Sequence, residues 1–313
     1  MEMRRLGGTG LVSSAIGLNG LAFARGCGPA DRNHDLAVVG DALDSGITLI
    51  DVADCVRGGV EALVGRAVRR RRDEVVLATR GGARFTAQGQ LVDVDGRPDR
   101  LARDCEASLR RLGVDHIDLY YLARVDPLVP IEDSIGGLAA LVEVGKVRQL
   151  GLSTVDVEEL RRAHAVHPIA VLADPYSLLD RQVEAGILAV ARTLGVGLVA
   201  RSPLAHGLLT GRITSTDQFA VDDYRRGHPA FQPETLARSG ALIRAAQQVA
   251  AQKDVSLVRL ALAWLLAQGP DVVVLPGTRS RTHLETDIAA TDVALSDEEC
   301  ALLSALAAPQ GAT

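Results

Sequence analysis

The stretch IDLYYLARVDPLVPIEDSIGGLAALVEVGKVRQLGLSTVDVEELRRAHAVHPIAVL, residues 117–172, decides the fold. It opens on a β-branched and aromatic run, Ile117 to Tyr121, and passes through an amphipathic segment of helix length, Ile131 to Glu143. It then returns to a short apolar run at Gln149 to Leu152, a second helical segment at Asp156 to His164, and a third run at Ile169 to Leu172. Parallel strands need a long crossover, usually a helix, so this alternation reads as consecutive βαβ units.

The same alternation continues in both directions. Upstream lie runs at Ala15 to Leu18, Thr48 to Asp51 and Val75 to Thr79, separated by helical segments at Asp35 to Ser45 and Glu61 to Arg72, with Arg100 to Leu112 leading into Ile117. Downstream come Gly197 to Ala200 and Val272 to Leu275, with helical segments at Val183 to Leu194, Leu236 to Lys253 and Ser256 to Gln268. Eight strand–helix units without a break in composition describe an α/β protein of the (β/α)8 TIM barrel type, in one domain spanning residues 1–313. The competing architecture is an open doubly wound sheet, but no Gly-x-Gly-x-x-Gly follows the first strand. Gly113, Gly145 and Gly195 stand where helices should stop, Asp156 and Ser296 where they should start, and Ser296 with Glu299 forms a capping-box pattern. The longest irregular stretch, His206 to Gln232, is of the length that forms a lid or substrate wall on the C-terminal face of such a barrel.

Composition narrows the class of partner. The chain has 313 residues, 47% hydrophobic and 23% charged, with 34 Lys+Arg against 39 Asp+Glu and a net charge of −5, so there is no basic field to hold nucleic acid and a small molecule is the better expectation. Lys146 and Lys253 are the only lysines, and the bias toward Ala, Val, Gly and Arg suggests a GC-rich bacterial genome. Cys27, Cys55, Cys105 and Cys300 lack Cys-x-x-Cys spacing, so neither a disulfide framework nor a metal cluster is expected. No run approaches 18 apolar residues and no apolar segment follows the first arginines, which reads as a cytoplasmic protein.

In such barrels chemistry sits at the C-terminal ends of the strands. Asp51 closes the second strand and Arg80 the third, and the two could meet as a buried ion pair, either a perturbed functional pair or a structural clamp on the rim.

Longer segments then resemble one family, the aldo-keto reductases, nearly end to end. The matching pieces are Asp51-Val-Ala-Asp54 before a glycine pair, the run from Glu106 to Tyr121, Gly145 to Ser153, Ser202-Pro-Leu-Ala-His-Gly-Leu-Leu-Thr-Gly211, Leu260 to Leu266 and Leu275-Pro-Gly-Thr-Arg279. The resemblance implies a short N-terminal β-hairpin, Met3 to Val12, under the barrel and NADP(H) lying across its top. It also implies a tetrad of Asp, Tyr, Lys and His, in which hydride passes to a carbonyl carbon while the Tyr protonates the oxygen. Asp51 matches the Asp, but Val56 stands at the Tyr position, Arg80 replaces the Lys and Ala123 replaces the His. A positioned general acid contributes roughly 10²–10⁴-fold. Valine and alanine carry no proton, and a guanidinium stays protonated at any working pH.

On the cofactor side the resemblance assigns Ser153 to the nicotinamide carboxamide, Tyr176 to ring stacking, Ser202, Leu204 and Gly207 to the pyrophosphate strap, and Gly277, Thr278 and Arg279 to the 2′-phosphate. Ala173 replaces a glutamine, and the family's Leu-x-Glu-Asn ending reads Leu284-Glu-Thr-Asp287, so NADP(H) is expected to bind more weakly than usual, with a vestigial cleft as the alternative. His206 lies in the strap, and Arg201 stands where the family often has an aromatic. Arg57, Arg124 and Arg201 are candidate substrate residues, because guanidinium forks clustered with Arg80 suit an anionic or polyoxygenated ligand; rim salt bridges with Asp54, Asp126 and Asp174 are the plainer account. Three functions remain open: an enzyme of altered or non-redox chemistry (dehydration, lyase or cyclisation) with Asp51 as base and Arg80 as oxyanion partner, of the kind that tailors a secondary metabolite; an NADPH-dependent oxidoreductase with a non-standard proton donor; and a non-catalytic NADP(H) or ligand binder.

Overall fold

The computed structural model describes residues 1–24, 31–53, 59–86, 90–221 and 223–306. Strands Met3–Leu6 (β1) and Leu11–Ser14 (β2) form an antiparallel hairpin, followed by Leu18–Asn19 (β3), helix Arg32–Asp44 (α1), Leu49–Asp51 (β4), Val60–Val68 (α2) and Val76–Gly81 (β5). A second hairpin, Ala83–Phe85 (β6) with Leu91–Val94 (β7), precedes Pro98–Leu112 (α3) and Ile117–Leu122 (β8). Then come Ile131–Glu143 (α4), Val147–Ser153 (β9), Val157–Val166 (α5), Ile169–Pro175 (β10), Ile187–Thr193 (α6) and Gly197–Arg201 (β11). The chain continues through Pro233–Gln252 (α7), Leu257–Leu266 (α8), Val272–Leu275 (β12), Arg281–Ile288 (α9) and Asp297–Leu306 (α10).

Eight parallel strands run in the order β12-β11-β10-β9-β8-β5-β4-β3. Backbone bonds from Gly17 N to the Val274 carbonyl (2.8 Å), Val274 N to the Ala15 carbonyl (3.0 Å) and Asn19 N to the Pro276 carbonyl (2.8 Å) bring β3 against β12, so the sheet closes into a barrel without an exposed edge.

Side chains alternate along each strand between lumen and shell. In β8, Leu119 and Tyr121 join Leu49, Ala78 and Val199 in the lumen, while Tyr120 and Leu122 pack outward against the helices. Tyr121 fits because its register partner on β9 is Gly151, where a Cβ would stand 2.5 Å from the ring. The lumen is closed from below by the β1–β2 hairpin: Leu6 is fully buried in the lumen cluster, and Arg4 Nη1 donates to the carbonyls of Leu266, Gly269 and Val272 at 3.1, 3.0 and 2.6 Å. Gly7, at φ +66°, lets the hairpin turn lie against the Gly195 carbonyl, where any Cβ would clash.

The expected stops and starts are present: Gly113 ends α3 in the left-handed conformation, Asp156 and Glu159 form a capping box on α5, and Ser296 exchanges bonds with Glu299 before α10. Other boundaries differ for local reasons. The expected helix Val183 to Leu194 is split into a 3-10 turn, Gln182–Glu184, and α6, because Gly186 at φ +135° interrupts it. The β6–β7 hairpin was not expected, since strands of three and four residues carry no periodic signal. The described residues of 206–221 and 223–232 include successive 3-10 turns, tied by an edge-on contact of Phe219 and Phe231 (5.1 Å) and by Arg225 over Phe219 (4.2 Å). Among the described residues no helix is long and apolar enough to cross a membrane, and no group of three or more His, Cys, Asp or Glu could hold a metal ion.

Candidate active site

The strand ends bring Asp51 and Arg80 together at the C-terminal mouth. Asp51 ends β4, Arg80 is the penultimate residue of β5, and Arg80 Nη2 donates to Asp51 Oδ1. Both partners are buried, Asp51 completely and Arg80 with 9% of its surface exposed. Asp51 Oδ2 takes no hydrogen bond among the described residues. Ala123, just past β8, is buried and presents only a methyl group.

Tyr121 lies below, level with Arg80 in the β5–β8 register, its ring 5.2 Å from the Arg80 guanidinium. Its hydroxyl is buried and has no hydrogen-bond partner among the described residues. Burial, reinforced by the Asp51 carboxylate, holds that hydroxyl well above the ordinary tyrosine range, so it stays protonated. The contact of Tyr121 with Arg80 follows from the register of the adjacent strands β5 and β8, which sequence alone does not fix.

Across the mouth, Arg201 ends β11. Its Nε donates to the Ala173 carbonyl (3.3 Å) and its Nη2 to Thr154 Oγ1 (3.0 Å). Burial, with the neighbouring Arg80 cation second, pushes Arg201 down to about 10. Asp174, half-buried on β10, is raised by burial, and attraction to Arg201 and a hydrogen bond from Thr154 offset part of that rise. The expected rim bridges to Asp126 and Asp174 are not made: Asp126 accepts from Gly96 N (2.9 Å) and Leu128 N (2.8 Å), and Arg124 forms no ion pair among the described residues.

Backbone strain concentrates in the same place. Thr154 (φ +56°), Ser202 (+50°), Ala205 (+48°) and His206 (+57°) are four of the five non-glycine residues with positive φ among the described residues. Such conformations cost on the order of 1–3 kcal/mol each and persist where surrounding structure over-determines them. A β-branched residue at this φ, as in Thr154, is a marked outlier.

The nucleotide-side candidates divide. Ser153 is buried at the end of β9, and Ser202, Leu204 and Gly207 lie in the strap after β11, where Ser202 (φ +50°) and Gly207 (φ +99°) are left-handed. Gly277 passes close to β3, a Cβ there standing 3.3 Å from the Asn19 carbonyl, and Thr278 Oγ1 accepts from Ser280 N (3.0 Å) at the start of α9. Arg279 is engaged elsewhere: Nε and Nη2 bind the two oxygens of the fully buried Asp35 at 2.8 and 3.2 Å. Tyr176 differs from expectation, being buried in the shell with its hydroxyl donating to Glu184 (2.8 Å) and its ring edge-on to Trp264 (5.5 Å). Strand alternation turns it toward the helices, and Arg201 is the long side chain on that rim. His206 meets the Tyr224 hydroxyl through Nδ1 (3.0 Å), and burial, helped by the nearby His228, lowers it to about 4. Val56 and Arg57, with Asp54 and Cys55, lie outside the described residues.

Thr154 and Tyr121 are the mouth residues that sequence reasoning missed; Thr154 directly follows Ser153, and the left-handed conformation that distinguishes it leaves no mark in the sequence.

Comparison with known proteins agrees with this geometry. The pattern of the Aldo/keto reductase family matches residues 15–308. An aldo-keto reductase of Strobilurus tenacellus is 39% identical over 312 residues, covering 96% of this chain and 90% of the relative. Among solved structures, a glycerol dehydrogenase from Gluconobacter oxydans superposes with a TM-score of 0.88 at 29% identity, over 99% of this chain and 97% of the other. An aldo/keto reductase from Klebsiella pneumoniae, solved with NADP and acetate, gives 0.75 at 28% identity, again over 99% and 97%. A closed (β/α)8 barrel with a hairpin beneath it, matched over almost its whole length, places this chain in the aldo/keto reductase family.

Proposed function

We propose that the barrel mouth performs altered chemistry on an oxygenated, anionic small molecule, a dehydration, lyase or cyclisation step of biosynthetic tailoring rather than ordinary carbonyl reduction. The observation that carries this reading is the buried Asp51–Arg80 pair beside Ala123. A fixed guanidinium stabilises negative charge developing on a carbonyl or enolate oxygen. It cannot release the proton that ordinary reduction needs, and the methyl group of Ala123 cannot either. Full burial of Asp51 shifts its part from the expected base to a holder of Arg80, which keeps the small exposed area of the pair.

The strap fits a dinucleotide in part. Ser202 and Gly207 hold left-handed backbone of the kind that lines an anion-binding concavity, while Arg279 is shared with Asp35. Ser153, Ser202, Leu204, Gly207, Gly277 and Thr278 are the residues that would hold NADP(H), bound weakly, and the cofactor would supply hydride chemistry when present. That strap, with the NADP of the Klebsiella neighbour and the relatives' reductase and dehydrogenase names, supports a second reading: NADPH-dependent reduction with an unusual proton donor.

Titration with NADPH and NADP⁺, followed by fluorescence and heat, separates the two. No saturable binding leaves cofactor-free elimination or ring closure. Micromolar binding together with efficient NADPH-dependent reduction of simple aldehydes would sink the first reading and establish the second.

A further inference from the structure

The charges at the mouth do not cancel locally. Arg80 is matched by Asp51, Arg279 by Asp35 and Arg225 by Asp223, each in direct contact. Arg201 and Arg124 have no carboxylate in contact among the described residues. For Arg201 the nearby carboxyl is Asp174, reached through the Thr154 hydroxyl and not in contact, and holding a guanidinium out of water at that remove from its counter-ion is costly unless a ligand completes the compensation.

The surroundings argue against a defect. Arg201 is oriented on two sides by neutral acceptors, the Ala173 carbonyl and Thr154 Oγ1, and its Nη1 makes no hydrogen bond among the described residues. Thr154 holds its hydroxyl in place through a left-handed backbone that threonine rarely adopts. Strain spent on aiming a hydroxyl at a guanidinium makes sense where the guanidinium's position matters. Resting on the proposal that this mouth takes a small molecule, we infer that Arg201, positioned by Thr154 and flanked by Arg124, is the receptor for a carboxylate on that molecule.

Charge decides between carboxylate and phosphate. Among the described residues Arg201 and Arg124 supply two guanidiniums at this side of the mouth and Asp174, joined to Arg201 through the Thr154 hydroxyl, supplies one acidic group, so a monoanion suits the site better than a dianion. A planar fork with open N–H groups also matches the two in-plane oxygens of a carboxylate.

The test is calorimetric titration of the full chain with sodium pyruvate, with hydroxyacetone as its uncharged analogue, and with inorganic phosphate. Pyruvate is expected to bind saturably and at least about tenfold more tightly than hydroxyacetone, the size of a lost charge-assisted hydrogen bond, with phosphate weaker than pyruvate. Arg201→Gln should reduce pyruvate to the hydroxyacetone level, and Arg124→Gln, at a half-buried position just past β8, should weaken it several-fold. Thr154→Val should weaken pyruvate while Thr154→Ser retains it, since only the hydroxyl is used. Equal binding of pyruvate and hydroxyacetone, absence of any pyruvate binding, tighter binding of phosphate, or indifference to both arginine substitutions would each overturn the receptor. Those results would leave the Arg80 chemistry standing, because that reading is tested by nucleotide titration and aldehyde turnover.

Discussion

Asp51 and Asp287 are both buried carboxylates, and a guanidinium separates their fates. Asp51 has Arg80 in contact, and removing one partner of a buried pair leaves the other charge unsolvated, at a cost of about 3–5 kcal/mol. Asp51→Ala should therefore lower unfolding stability by that amount in urea; a loss below about 1 kcal/mol would mean that water already screens the pair. Asp287 is 3% exposed, and burial alone raises it from 3.8 to about 7. A carboxyl raised in the folded state is not penalised below its unfolded value, and its cost grows as pH climbs from about 4 to 7, by roughly 1.4 kcal/mol per unit. Asp287→Asn is therefore expected to be close to neutral at pH 4 and stabilising by a few kcal/mol at pH 8. Denaturation curves at the two pH values check this, and equal effects at both would show that Asp287 is ionised at an ordinary value.

At the scale of elements, the hairpin under the barrel and the strap above it do different work. Arg4 ties β1 to the α8–β12 connection through three carbonyls, so Arg4→Ala leaves those acceptors buried and should cost about 3 kcal/mol. The expected signature is a lower midpoint in urea with ligand binding at the top unchanged. The strap responds to acid instead. His206 sits at about 4 against an ordinary 6.5, so the stability it contributes is present above pH 6.5 and is lost as pH falls toward 4, where its charge would face His228, Arg225 and Arg201. Proteolysis within residues 206–232 should accelerate over that window, and His206→Asn, which tolerates the left-handed backbone, should flatten the dependence. If the wild-type rate is constant between pH 6.5 and 4, the histidine is not what holds the strap. The barrel strands were legible in the sequence because each is a continuous apolar run bounded by helix signals. The β6–β7 hairpin was not, because Ala83–Phe85 and Leu91–Val94 are too short for a period of two to emerge. The turns of residues 206–232 escaped for a related reason, being held by Phe219, Phe231 and Arg225 contacts rather than by periodic burial.

For the whole molecule, barrel closure puts stability at one end and charge at the other. That separation explains which parts of the site could be read in advance. Asp51 and Arg80 close neighbouring strands, so order along the chain was enough to pair them. The setting of Arg201 could not be read, because strand order places Asp126 and Asp174 at the same rim and only their actual bonds, to Gly96 and Leu128 for Asp126 and through Thr154 for Asp174, show that neither meets Arg201 directly. Tyr176 shows the converse: its motif matched, but strand alternation gave the ring to Trp264 and the hydroxyl to Glu184. The same separation makes the mouth replaceable without disturbing the plug below, which allows a decisive exchange. Val56→Tyr, Arg80→Lys and Ala123→His together would place a proton donor, a titratable ammonium and an imidazole at the positions that the resemblance assigns to the tetrad. If the remaining scaffold is that of a reductase, this variant should gain NADPH-dependent reduction of a generic aldehyde, by roughly 10²-fold or more over the parent, the low end of what a positioned general acid contributes. Lysine in place of Arg80 keeps the charge opposite Asp51, so the variant should fold with a midpoint near that of the parent. A folded variant that binds NADPH and shows no gain would mean that Arg201, Arg124 and the strained Thr154 have already reshaped the mouth for a different substrate, and that the altered chemistry lies in more than the replaced residues.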